Sequence, residues 1–218
     1  MQKSEAHAMG IPTMSEILDR ELHHLQSTCA RGNLDLLETG CIRDVTPGHR
    51  LADGWSTLAF AQHVRQYGGS VTSIDLDVTA AHAVLSAEGL RDEVRLITGD
   101  SVETLKALHG RGLSFDLILL DSGTDPYLIF REYQVAVDLV RQPGLIVIDD
   151  VKYHEDSYGS TGDMVLPYLE TNEIPFRVDR RWGGRGWIDV LLIDVGRGAN
   201  QENIQDPSTV ISEQSLVG

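Results

Sequence analysis

Cysteine is scarce in this chain. Cys29 and Cys41 are its two thiols in 218 residues, too few for a disulfide framework, so the fold must rest on a buried core. A chain of this length can bury roughly 70% of the surface its unfolded form exposes, enough to fold as one domain without disulfide or metal. No apolar run approaches the ~20 residues that span a bilayer. The opening Met-Gln-Lys-Ser-Glu lacks the apolar stretch of a signal peptide, so the expectation is a soluble cytoplasmic protein with no membrane partner. Positive charge is also short: 18 Lys and Arg stand against 33 Asp and Glu, a formal net charge of -15. A duplex-binding surface must neutralise phosphates with clustered bases, which argues against nucleic acid as a substrate. Missing too is Gly-x-Gly-x-x-Gly between the first strand and its helix, the nest that grips a dinucleotide pyrophosphate. Gly40 is followed instead by Cys-Ile-Arg-Asp, and the next glycines are Gly48 and Gly54.

What the chain does contain is alternation. Short apolar runs at 34–38, 71–75, 93–98, 115–120 and 144–148 are separated by helical patterns near 55–67, 79–89, 101–109 and 127–141. This spacing predicts right-handed βαβ crossovers and a parallel sheet covered on both faces. An amphipathic helix is expected from Met14 to about Ala30, capped by Thr13, to cover either a substrate pocket or the sheet. After a helix near 162–171, Pro175-Phe-Arg-Val and Trp187-Ile-Asp-Val-Leu-Leu-Ile flank a glycine-rich turn, the pattern of a hairpin. The expected fold is therefore α/β, a doubly wound, Rossmann-like sheet of seven strands, mostly parallel, closed by a C-terminal antiparallel hairpin. Residues 1–32 form an N-terminal helical segment, 33–196 the main domain, and 197–218 a polar, aperiodic tail expected to be disordered. Either the N-terminal helix or the hairpin could support a homodimer.

In such a sheet the ligand lies beyond the carboxyl ends of the strands. Leu34-Asp-Leu-Leu-Glu-Thr-Gly-Cys41 and Ser73-Ile-Asp-Leu-Asp end there in a glycine and an acid, which would sit beside one ligand. A cofactor without a pyrophosphate needs hydroxyl acceptors more than an anion nest. On Leu36-Leu-Glu-Thr-Gly, Gly54-Trp-Ser-Thr-Leu-Ala, Ser73-Ile-Asp-Leu-Asp and Leu96-Ile-Thr-Gly-Asp-Ser, residues 34–195 resemble the class I methyltransferases that use S-adenosylmethionine. The narrower resemblance is to the metal-dependent small-molecule O-methyltransferases related to catechol O-methyltransferase. It implies that Glu38 and Gly40 line the methionine end of the cofactor, that Asp75 accepts from the ribose hydroxyls, that Leu76 packs on the adenine, that Asp100 and Ser101 meet the adenine amino group, and that Thr39, Ser56 and Asp121 also belong to the cofactor-binding set. Asp100 and Ser101 also suit a helix N-terminus in their own right. The chain departs from the family between Gly40 and Gly54, where about ten residues look inserted. Arg43, Asp44, His49 and Arg50 in that insert are read as solvated loop, and Cys41 as a packed thiol.

Asp121 closes one apolar strand and the pair Asp149 and Asp150 another. Hard oxygen donors on neighbouring strand ends suit Mg²⁺, or Mn²⁺ or Ca²⁺, and the resemblance places the family's ligands on these three. A divalent ion would lower the pKa of an acceptor hydroxyl and orient it. Asp is also common after strands because it favours turns, and acids stand at this edge in metal-free relatives, so a metal-free small-molecule methyltransferase is the alternative reading. The lysine that catechol-type relatives carry after the first aspartate is absent from Ser122-Gly-Thr-Asp-Pro, so His154 is the expected general base, with Lys152 and Asp125 as alternates and Asp121 sharing the catalytic centre. Tyr127, Trp182 and Trp187 suit an aromatic acceptor pocket or core packing. Arg177, Arg180, Arg181 and Arg185 suit a solvated strand end, or a rim facing an anionic substrate.

Overall fold

The computed structural model describes residues 12–47, 55–153, 160–182 and 187–196. Seven strands form one sheet: β1 (Leu34–Thr39), β2 (Gly69–Asp75), β3 (Val94–Thr98), β4 (Phe115–Leu120), β5 (Val140–Ile148), β6 (Arg177–Trp182) and β7 (Trp187–Val195). Their order is β3-β2-β1-β4-β5-β7-β6. The first five are parallel, while β7 pairs antiparallel with both β5 and β6. The doubly wound sheet and its closing hairpin are thus as the alternation predicts.

Side chains pointing to opposite faces of the central strands create two cores. Leu34, Leu36, Leu117, Leu119, Leu145 and Val147 face one side, together with residues of α1 (Met14–Thr28), α2 (Ser56–Tyr67) and α3 (Thr79–Ala87). Leu37, Ile118, Leu120, Ile146 and Ile148 face the other, against α4 (Ser101–His109), α5 (Pro126–Leu139) and α6 (Gly162–Thr171). Strands buried on both faces read as continuous apolar runs, which is why β4 was legible residue by residue.

The N-terminal helix begins with a reciprocal cap: the Glu16 amide donates to Thr13 Oγ1 at 3.3 Å, and the Thr13 amide donates to Glu16 Oε2 at 2.7 Å. It packs on α2 and β6. The buried Glu21 receives Arg177 Nη2 at 2.6 Å, and Arg20 binds Asp179, so two ion pairs clamp this helix to β6. It therefore covers the sheet.

One boundary differs from the sequence pattern. The helix expected to run to 141 stops at Leu139, and β5 starts at Val140, four residues before the apolar run that signals it. Val140 pairs with Phe115, then the register shifts before Leu117 meets Leu145. Pro143 and Gly144 occupy the irregular stretch, and a Cβ on Gly144 would lie 2.4 Å from the Arg141 carbonyl oxygen. Proline and glycine inside a strand mask its alternation. Among the described residues no helix is long and apolar enough to cross a membrane.

Candidate active site

The parallel register brings the residues that follow β1, β2, β3, β4 and β5 to one edge of the sheet: Gly40, Leu76, Asp100, Asp121 and Asp149. Because β6 runs in the same sense as β5 through two antiparallel pairings, its last residues Arg181 and Trp182 arrive at that edge as well.

Gly40 sits where the ends of β1, β2 and β4 converge. Its amide donates to the Ile74 carbonyl at 2.8 Å, and Asp121 donates to the Thr39 carbonyl at 2.9 Å. With φ at +82° and a Cβ position only 2.1 Å from the Asp121 carbonyl oxygen, the site admits no side chain. Asp75 closes β2 beside it: Oδ2 accepts from the Cys41 amide at 2.9 Å, and Oδ1 from Asp77 at 3.1 Å. Next to this acid, Leu76 is 76% exposed, an apolar side chain left open at the crevice. Cys41 is buried, and burial together with the charges of Asp75, Glu38 and Asp77 pushes its thiol upward, away from thiolate chemistry.

Glu38 and Ser56 are enclosed where the resemblance led us to expect a lining of the cofactor pocket. Glu38 is wholly buried and accepts from Ser56 Oγ and Ser73 Oγ, each at 2.7 Å, so it braces β1 against β2 and the start of α2. Burial raises its carboxyl to about 7, against the opposing hydrogen bonds of Thr57, Ser73 and Ser56. A carboxyl raised on folding is protonated in the native state while already ionised when unfolded. Stability therefore falls as pH climbs from the ordinary 4.5 to about 7, by on the order of 3 kcal/mol. Urea denaturation at both ends of that window is expected to show this loss in the native sequence and its absence in Glu38→Gln.

Thr39 is buried as well, donating to Glu132 Oε2 at 2.8 Å. Glu132 belongs to α5 and is wholly buried; burial raises its carboxyl, opposed by Ser101, Ser122 and Thr39. Sequence reasoning missed this residue. A signal existed: Glu132 falls on the stripe of Ile129, Tyr133 and Ala136, where a carboxylate has no place unless it is bonded. Asp100 caps α4, accepting from the Glu103 amide at 2.9 Å, and Ser101 is buried in the first turn.

The acceptor side holds the largest departure from expectation. Asp149 is 4% exposed and Arg181 is 3% exposed. The guanidinium grips the carboxylate with two bonds, Nε to Oδ1 at 3.1 Å and Nη2 to Oδ2. Burial alone would lower the Arg181 pKa; the carboxylates of Asp149, Asp121 and Asp150 reverse this and hold the cation charged. Asp121 is raised well above the usual carboxylate range by burial and by Asp149, while Arg43 and Arg181 oppose the rise. Asp150 follows with a left-handed backbone, φ 60°. The three aspartates do share one locality, but they share it with an arginine. Among the described residues no group of three His, Cys, Asp or Glu side chains is arranged to hold a metal ion. With both oxygens of Asp149 already bonded to a cation, this donor set does not fit the Mg²⁺ site that the resemblance implied.

The other arginines correct the surface-patch reading. Arg177 bonds Glu21 and Asp194, and Arg180 bonds Asp189 at 2.7 Å while lying over the Trp187 ring. Trp182 and Trp187 meet edge to face at 6.1 Å across the hairpin, and Tyr127 is exposed at the start of α5. Arg43, expected to be plain solvated loop, is exposed yet close enough to Asp121 to lower its carboxyl. His154, His49, Arg50, Arg185 and residues 197–218 lie outside the described residues.

A glycine crossing at the end of β1 and an acid closing β2 thus meet at one edge of this sheet. Residues 51–151 match the family model described as a methyltransferase domain. Solved structures share its fold. An O-methyltransferase of Bacillus cereus, in complex with S-adenosylhomocysteine, is 18% identical over 88% of this chain and 87% of its own, with a TM-score of 0.59. TomG of Streptomyces achromogenes, an O-methyltransferase of tomaymycin synthesis bound to S-adenosylmethionine, is 19% identical over 87% and 85%, with a TM-score of 0.58. A proposed O-methyltransferase of Klebsiella pneumoniae reaches a TM-score of 0.61 at 20% identity, over 89% and 87%. No curated protein matches the chain.

Proposed function

We propose that the protein transfers a methyl group from S-adenosylmethionine to a hydroxyl of a small molecule. The observation that carries this reading is the joining of two half-sites on one sheet edge: Gly40, Asp75 and the exposed Leu76 on one side, and the carboxylates of Asp121 and Asp149 on the other. Structural neighbours that are O-methyltransferases support the choice of oxygen over nitrogen.

The residues present fit the cofactor. Asp75 would take the ribose hydroxyls, Leu76 would cover one face of the adenine, and Asp100 with Ser101 would meet its amino group. Bound there, the cofactor would supply a methyl carried on a positive sulfur, which would keep the electron pair of the broken carbon–sulfur bond as the acceptor oxygen gains the carbon. The chain's own task is to hold the hydroxyl in line and take its proton. Asp121, whose carboxyl is pushed up by burial and by Asp149, is the described group suited to accept that proton; His154 keeps the role that its position after Asp150 suggests. Tyr127 and the Trp182–Trp187 pair would flank an aromatic acceptor.

Calorimetric titration with S-adenosylhomocysteine tests the reading. Asp75→Ala is expected to weaken binding about 10- to 100-fold, the loss of charge-assisted hydrogen bonds worth about 1.5–3 kcal/mol. A native protein that ignores S-adenosylhomocysteine and binds NADH would instead be an oxidoreductase.

A further inference from the structure

Resting on the methyltransferase reading, we propose that Arg181 is a built-in cation standing in the place that a divalent metal fills in related enzymes, so that this domain works without one. Three observations converge. The guanidinium is almost entirely buried, on a strand whose other arginines are partly exposed. It is bonded through two nitrogens to Asp149 and faces the same three carboxylates, Asp149, Asp121 and Asp150, that would form the metal's oxygen shell. Its third nitrogen, Nη1, is buried with no hydrogen-bond partner among the described residues, a donor that a purely structural ion pair has no reason to leave idle.

The chemistry is coherent. Carboxylates crowded at strand ends repel one another and need a positive charge to stay together in a dry site. A guanidinium supplies that charge permanently, in a planar fork that matches a carboxylate. Unlike Mg²⁺, it brings no open coordination position, so it can steady a developing oxyanion through a hydrogen bond but cannot chelate two adjacent hydroxyls. The site is therefore suited to an acceptor with a single reactive oxygen rather than to a catechol. The missing lysine after Asp121 departs from the catechol pattern in the same direction.

The test is Mn²⁺ binding to the full-length protein, followed by the loss of the free-ion paramagnetic resonance signal and by calorimetry, for the native sequence, Arg181→Gln and Arg181→Gln with Asp149→Asn. The native protein is expected to leave Mn²⁺ free. Arg181→Gln should gain affinity by at least about tenfold, and the double variant should lose that gain. Stoichiometric Mn²⁺ binding by the native protein that Asp149→Asn abolishes overturns the proposal, as does a folded Arg181→Gln variant with no gain. If Arg181→Gln does not fold, the native protein and Asp149→Asn decide: stoichiometric Mn²⁺ binding lost in Asp149→Asn overturns the proposal, and no such Asp149-dependent ion upholds it. S-adenosylhomocysteine titration of the native protein in EDTA runs beside these. Its failure sinks the methyltransferase reading, while the manganese result still judges Arg181.

Discussion

Gly40→Ala is expected to destroy cofactor binding and to cost at least about 3 kcal/mol of stability. Two penalties act together. The backbone at +82° is left-handed, a conformation that disfavours any Cβ, and that Cβ would lie 2.1 Å from a backbone oxygen of Asp121. Neither neighbour can yield cheaply, because Gly40 is tied to Ile74 and Asp121 to Thr39 by ladder hydrogen bonds of 2.8 and 2.9 Å. Relief requires the exits of β1 and β4 to part, which displaces Asp121 and the Cys41 amide that holds Asp75. Chemical denaturation reads the first effect and titration with S-adenosylhomocysteine the second. An alanine variant that binds as tightly as the native protein would show that this crossing is not the cofactor's floor.

The second large effect is expected at Asp149. Replacing it with alanine leaves Arg181 buried with neither of its two carboxylate bonds, and breaking one partner of a buried pair costs about 3–5 kcal/mol. Removing both partners behaves differently. Asp149→Leu with Arg181→Met abolishes the stranded charge and is expected to recover most of the lost stability, though not the chemistry. A double-mutant cycle by urea denaturation measures the coupling. A loss below about 1 kcal/mol for Asp149→Ala would mean that the pair is open to water, contrary to its burial.

Legibility followed the range of the interaction. β4 and the second half of β5 were readable because a strand covered on both faces is apolar throughout, and Gly40, Asp75 and Asp121 because they punctuate such runs at their carboxyl ends. The Thr13–Glu16 cap was half readable, since a cap is a contact over three residues. The first half of β5 was not, because Pro143 and Gly144 interrupt its pattern. The position of Glu38 at the end of β1 is local information, whereas its enclosure by Ser56 and Ser73 depends on where β2 and α2 land. The three strand-end aspartates were expected to gather, and they do. That Arg181 meets them was not legible, because it lies 32 residues from Asp149 in sequence.

By itself, then, the order of residues determined the strand succession, the two-sided core and the acids and glycine that mark one edge of the sheet, since apolar periodicity and turn chemistry act between near neighbours. Tertiary structure alone decided which charges meet at that edge. The hairpin of β6 and β7 folds back beside β5 and delivers Arg181 into a cluster of carboxylates, and a buried ion pair takes its partner from spatial proximity, which no local pattern in the chain encodes.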